Sequence, residues 1–187
     1  MMRRLGIALM LVGALHGRAA NAAQDAPPIA VVGAVGAQID DLSVTDADTS
    51  GAIRWATWSD GDQTGRATHL ALFARRDGTA TLSWSTTWKD AYHPTLRSTA
   101  EWAYRGHPVL AVTVQFGAGA EQIDLYGLDE AFRPMLLVEK EAASVGWMIG
   151  KNGKLLLMLY SPSPTVLKAT CYGWQGDKGT IAREPCS

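Results

Sequence analysis

The sequence predicts an all-β fold, and three observations carry that expectation. Apolar residues alternate at period two along most of the chain, which is the rhythm of strands with one face buried. Tight-turn dipeptides, Asp77-Gly78 and Asn152-Gly153, join such runs. Trp58, Trp102 and Trp147 recur 44 and 45 residues apart, each followed by a turn and an apolar strand.

Taken in order, the chain opens on an address. Arg3 and Arg4 precede an apolar stretch from Leu5 to Leu15, and Ala20-Asn21-Ala22 supplies the small residues of a cleavage site. Residues 1–22 therefore read as a secretory signal peptide, 23–28 as a flexible leader, and 29–187 as one all-β domain. The apolar stretch is shorter than the roughly 20 residues that span a bilayer, so no stable membrane insertion is expected after cleavage.

In "HLALFARRDGTATLSWSTTW" (69–88), Ala80, Leu82, Trp84 and Trp88 are expected on one face of the second run. "HPVLAVTVQF" (107–116) puts Leu110, Val112, Val114 and Phe116 on one side, then turns through "GAGA" into "QIDLYGL". "RPMLLVEK" follows. "KLLLMLY" (154–160) is apolar on both faces and reads as a central strand. "TVLKATCYGW", a turn at "QGDKG" and the short strand "TIARE" complete the chain.

After each of the three tryptophans the order is strand, strand with a central aromatic (Trp84, Tyr126 or Tyr172), and a shorter strand near Leu96, Leu136 or Ile181. These are antiparallel β-meander repeats, about three units of roughly 45 residues. The Trp-turn-strand entry and the "IDLYGLDEAFRPMLL" pattern resemble blades of integrin-like or VCBS-type β-propeller repeats. The resemblance implies a propeller-like or incomplete propeller fold, because closed propellers take at least about four blades. A β-sandwich is the alternative.

Charge and cysteines bound the function. Three of the 17 basic side chains lie in the signal peptide, which leaves 14 against 18 acidic ones in the exported part. A mildly acidic surface argues against nucleic acid as a partner. Cys171 and Cys186 are the two cysteines, and in an oxidising compartment they are expected to pair. The localisation expected is periplasmic or extracellular.

Catalytic signatures are missing from the sequence. "DADTSG" (46–51) opens like a calcium loop, but Arg54 and Thr57 stand where further oxygen ligands belong, so a polar turn is expected and no metal or other cofactor. His69 and His107 open apolar strands, and His93 precedes a proline. Trp88 and Tyr92 fall in "TTWKDAYHP", read as a polar loop leaving a strand, where exposed rings supply contact area at small entropic cost. The expected binding residues are therefore Trp88, Tyr92, His93, His69 and His107. The function expected is a non-catalytic exported binding module for a protein or glycan partner, inhibition of another exported protein being one form. The alternatives are a small secreted hydrolase using His69 or His107 with a carboxylate, and a structural subunit of an envelope assembly with paired sheet edges.

Overall fold

The computed structural model describes residues 39–186, except 49, 61–65, 77–78, 118 and 162–167. The expected signal peptide and leader, and the Asp77-Gly78 turn, lie outside the described residues. Three four-stranded antiparallel sheets account for the described chain. The first contains β1 (Ile39–Asp46), β2 (Ile53–Asp60), β3 (Ala67–Arg76) and β4 (Thr79–Lys89). The second contains β5 (Ala91–Tyr104), β6 (His107–Phe116), β7 (Ala120–Leu128) and β8 (Pro134–Ala142). The third contains β9 (Ser144–Ile149), β10 (Leu155–Ser161), β11 (Lys168–Trp174) and β12 (Ile181–Glu184). Within each sheet, strands lie in chain order, so each is a meander. The fold is all-β, as expected, and no barrel closes among the described residues; the arrangement is that of an incomplete propeller or a sandwich.

The second sheet lies in the middle because its strands are apolar on both faces. In β6, Leu110, Val112 and Val114 pack towards the first sheet against Trp55, Leu70 and Leu72. The intervening Val109 and Ala111 pack on the other side, with Leu157 and Leu159 of the third sheet. β7 repeats this division, Tyr126 and Leu128 on one side, Ile123 and Leu125 on the other. A fully buried side chain of this size contributes about 1.5–3 kcal/mol, so two cores share one sheet. Close approach is needed at Gly127, where an added Cβ would lie 2.6 Å from Tyr104 Cδ1 and 2.8 Å from Leu137 Cδ1.

The repeat is real, but its first unit starts one strand earlier than the tryptophans suggest. Trp102 and Trp147 both lie in first strands, β5 and β9, and their rings meet at 5.2 Å. Trp58 lies in the second strand of its sheet, so the 44-residue step from Trp58 to Trp102 joins unlike positions. The first strands begin at Ile39, Ala91 and Ser144, steps of 52 and 53 residues. Leu96, expected in the last strand of the first unit, belongs to β5 of the second sheet. The reason is Asp90. Its left-handed backbone (φ 57°) turns the chain from one sheet to the next in a single residue, a conformation Asp tolerates better than most.

A second correction concerns β4. Leu72 pairs with Trp84 and Phe73 with Leu82, so Ser83 is an extra residue in a β-bulge. The bulge breaks the alternation. Trp84 and Trp88 pack on the core between the first and second sheets, whereas Leu82 is 44% exposed. At the other end of the chain, Cys171 of β11 and Cys186 form the expected disulfide, with Cα atoms 5.3 Å apart. It ties the last segment to β11 and is compatible with an oxidising location.

Candidate functional site

The structure disperses the residues that the sequence singled out. Residues 86–94 form no loop: β4 runs to Lys89 and β5 begins at Ala91. Trp88 is half-buried in β4, and its Nε1 donates to Asp124 Oδ2 at 3.1 Å. Tyr92 is half-buried in β5; its hydroxyl donates to the Gly117 carbonyl. His93 is exposed beside it, with Nδ1 3.1 Å from Asp41 Oδ2. His107 sits by the β5–β6 turn, its ring 4.8 Å from that of Phe132. His69 belongs to another sheet and shares no partner with it.

His69 does have an acid. Its Nε2 lies 2.9 Å from Asp60 Oδ2, and its Nδ1 lies 3.0 Å from Thr87 Oγ1. The ring stacks on Trp58 at 5.0 Å. The approach to Asp60 is close enough for a charge pair, yet Nε2 finds no hydrogen-bond partner of acceptable angle. Distance alone would suggest a bond; the direction decides otherwise.

A buried carboxylate, absent from the residues expected to bind or react, joins the first and second sheets. Asp124 is 2% exposed. It accepts from Trp88 Nε1, from Gln122 Nε2 at 2.9 Å, and weakly from the Tyr126 hydroxyl at 3.5 Å. Burial pushes its carboxyl up to about 6 against the opposing effect of the Gln122 hydrogen bond, and Glu139, its neighbour on β8, adds repulsion. Burial and then the Asp124 charge push the Tyr126 hydroxyl upward. A raised acid beside a second carboxylate resembles an acid–base pair in outline. At 2% exposure, however, Asp124 is closed to substrate, and its role is that of an inter-sheet clasp. The signal for it was present: in "QIDLYGL", Asp124 alternates with Ile123 and Leu125 in a strand with no wet face.

Asp129 is the contrasting case. The backbone N–H of Arg133 holds its carboxyl below the usual range, assisted by the Arg133 side chain and the Ala131 N–H. It fixes the β7–β8 turn.

Among the described residues, a site with room for a ligand lies between the second and third sheets. A half-open cleft of about 470 Å³ is lined by Glu101 and Trp102 of β5, Gly153, Lys154 and Leu155 at the start of β10, and Gly173, Trp174 and Gly176 around the end of β11. Trp102 and Trp174 stack at 5.5 Å, 16° from parallel. Their indole N–H groups cross between sheets, Trp102 Nε1 donating to the Leu155 carbonyl at 3.3 Å and Trp174 Nε1 to the Ala103 carbonyl at 2.9 Å. Trp147 packs edge-on against Trp102 and carries Arg97 over its ring at 5.0 Å. The hairpin that brings Lys154 to the rim depends on Gly153 (φ 76°), whose N–H bonds the Gly150 carbonyl at 2.9 Å. These constraints leave the aromatic wall little freedom, and a rigid wall loses little entropy on binding.

Among the described residues no group of three or more histidine, cysteine, aspartate and glutamate side chains is placed to hold a metal ion. The described residues of "DADTSG" lie at the end of β1 and between it and β2: Asp46 Oδ1 accepts from Arg54 Nε at 3.0 Å and Asp48 Oδ2 from Ser50 Oγ at 2.6 Å. Comparison with protein-family models, with curated proteins and with solved structures gave no match.

Proposed function

We propose that this chain is an exported binding module whose partner, a glycan or a protein, engages the cleft between the second and third sheets. The observation that carries the reading is the half-buried indole of Trp174, held against the buried Trp102 at the wall of a cavity of ligand size. The signal-like N-terminus and the Cys171–Cys186 disulfide support export to the periplasm or beyond. Immobilised exported chain should retain a component of the native envelope fraction, and Trp174→Ala, checked for retained fold, should release it. Retention unchanged in that variant would count against the cleft.

A second reading, a hydrolase, is favoured by one set of contacts: His69 stands between the Thr87 hydroxyl and the Asp60 carboxylate. A base flanked by a hydroxyl and an orienting acid is the arrangement of nucleophilic catalysis. The missing in-line bond to Asp60 weakens it. Labelling of Thr87 by a fluorophosphonate probe, lost in His69→Ala, would favour this reading over the first.

A further inference from the structure

Resting on the cleft reading above, we infer that the ligand recognised between the second and third sheets is an uncharged pyranose unit of a glycan. The argument begins with what the aromatic wall offers. Both indole N–H groups are already engaged by backbone carbonyls. Trp102 is sealed beneath its neighbours at 3% exposure, so the half-buried Trp174 ring, backed by it, is what presents aromatic carbon and no donor, which suits an apolar ligand face of the kind that the axial C–H bonds of a pyranose form.

Hydrogen bonding must then come from the rim. Glu101, on β5, is an acceptor in its ionised form, and Lys154, on the third sheet, is a donor. Both side chains are exposed and without a partner among the described residues. One acceptor and one donor, set on opposite walls beside an apolar surface, complement a ring of hydroxyls, each of which both donates and accepts. The opposed charges also select. A cationic ligand attracted to Glu101 meets Lys154, and an anionic one attracted to Lys154 meets Glu101, so a neutral ligand avoids both penalties.

An extended peptide fits less well. Peptides held by main-chain pairing need a straight strand edge, whereas Gly153 and Gly176 turn the wall away through positive φ angles of 76° and 56°.

The test titrates the exported chain with cellotriose and with tri-N-acetylchitotriose, following tryptophan fluorescence, and in parallel with the tetrapeptide Lys-Gly-Gly-Glu. Glu101→Gln and Lys154→Met, both exposed positions, are compared after their thermal midpoints are matched to the parent. The inference expects a saturable response to at least one of the sugars at millimolar concentration or below, weakened about tenfold by either substitution. A response to the peptide alone, sensitive to Glu101→Gln, would overturn the glycan inference and leave the cleft reading standing. Sugar binding indifferent to both substitutions would place the site elsewhere and overturn the inference and the cleft reading together. The absence of any sugar response would overturn the glycan inference, and an envelope fraction that is also not retained would overturn the cleft reading with it.

Discussion

Asp124→Asn is the perturbation whose consequence follows most directly from the geometry. The Asp124 carboxyl sits near 6 in the folded chain against an ordinary value of 3.8. A folded value above the unfolded one means that the folded state prefers the proton. The stability this group supplies is therefore complete below about pH 4 and is lost as pH rises through 6. A difference of about two units corresponds to about 3 kcal/mol. Asparagine has nearly the same shape and does not ionise. Its oxygen can accept from Trp88 Nε1, and its amide can donate to Gln122 once that side chain turns its own oxygen inward. Urea unfolding of both proteins from pH 4.5, where about a third of that stability is already lost, to 8 should give a parent that weakens by about 2 kcal/mol more than the variant. Parallel pH profiles would refute the reasoning, because they would mean that Asp124 ionises without penalty in the folded state.

Trp88→Ala should cost about 3 kcal/mol, since it removes an indole packed on the core and a donor to Asp124, where the sequence predicts an exposed ring in a loop. Unchanged chemical unfolding would return Trp88 to the surface. Cys186→Ser opens a link across 15 residues and should lower stability by about 3 kcal/mol, with parent treated with reductant falling to the same midpoint. Gly127→Ala forces a methyl against Tyr104 and Leu137 and should cost about 1–3 kcal/mol, read as a lower denaturant midpoint. Calcium should leave the thermal midpoint unchanged, since Asp46 is held by Arg54 and Asp48 by Ser50.

Much of the scaffold was legible because strands announce themselves locally. Leu110, Val112, Val114 and Phe116 were assigned to one face of β6 and all pack on the same core. The Asn152-Gly153 turn, the doubly apolar β10 and the cysteine pair were equally local signals. What was missed depends on events between strands. β1, "IDDLSVTD", carries no tryptophan and little apolar pattern, so the first repeat was counted from β2. Lys89 and Asp90 looked like a loop because their polarity was visible, whereas the left-handed turn that Asp90 makes was not. The bulge at Ser83 displaced Leu82 from the face of Trp84 without any mark in the sequence. The cleft was the least legible feature. Glu101 and Lys154 are far apart in the chain, and only the packing of the third sheet on the second brings them to one cavity.

Recognition through that cavity is tested most directly by heteronuclear NMR of residues 23–187, following the indole N–H resonances during titration with cellotriose and tri-N-acetylchitotriose. The expected result is a saturable shift of the Trp102 and Trp174 signals, with Trp55 and Trp88, in the opposite core, unmoved. Shifts confined to Trp88 and its neighbours Tyr92 and His93, with Trp102 and Trp174 silent, would contradict it.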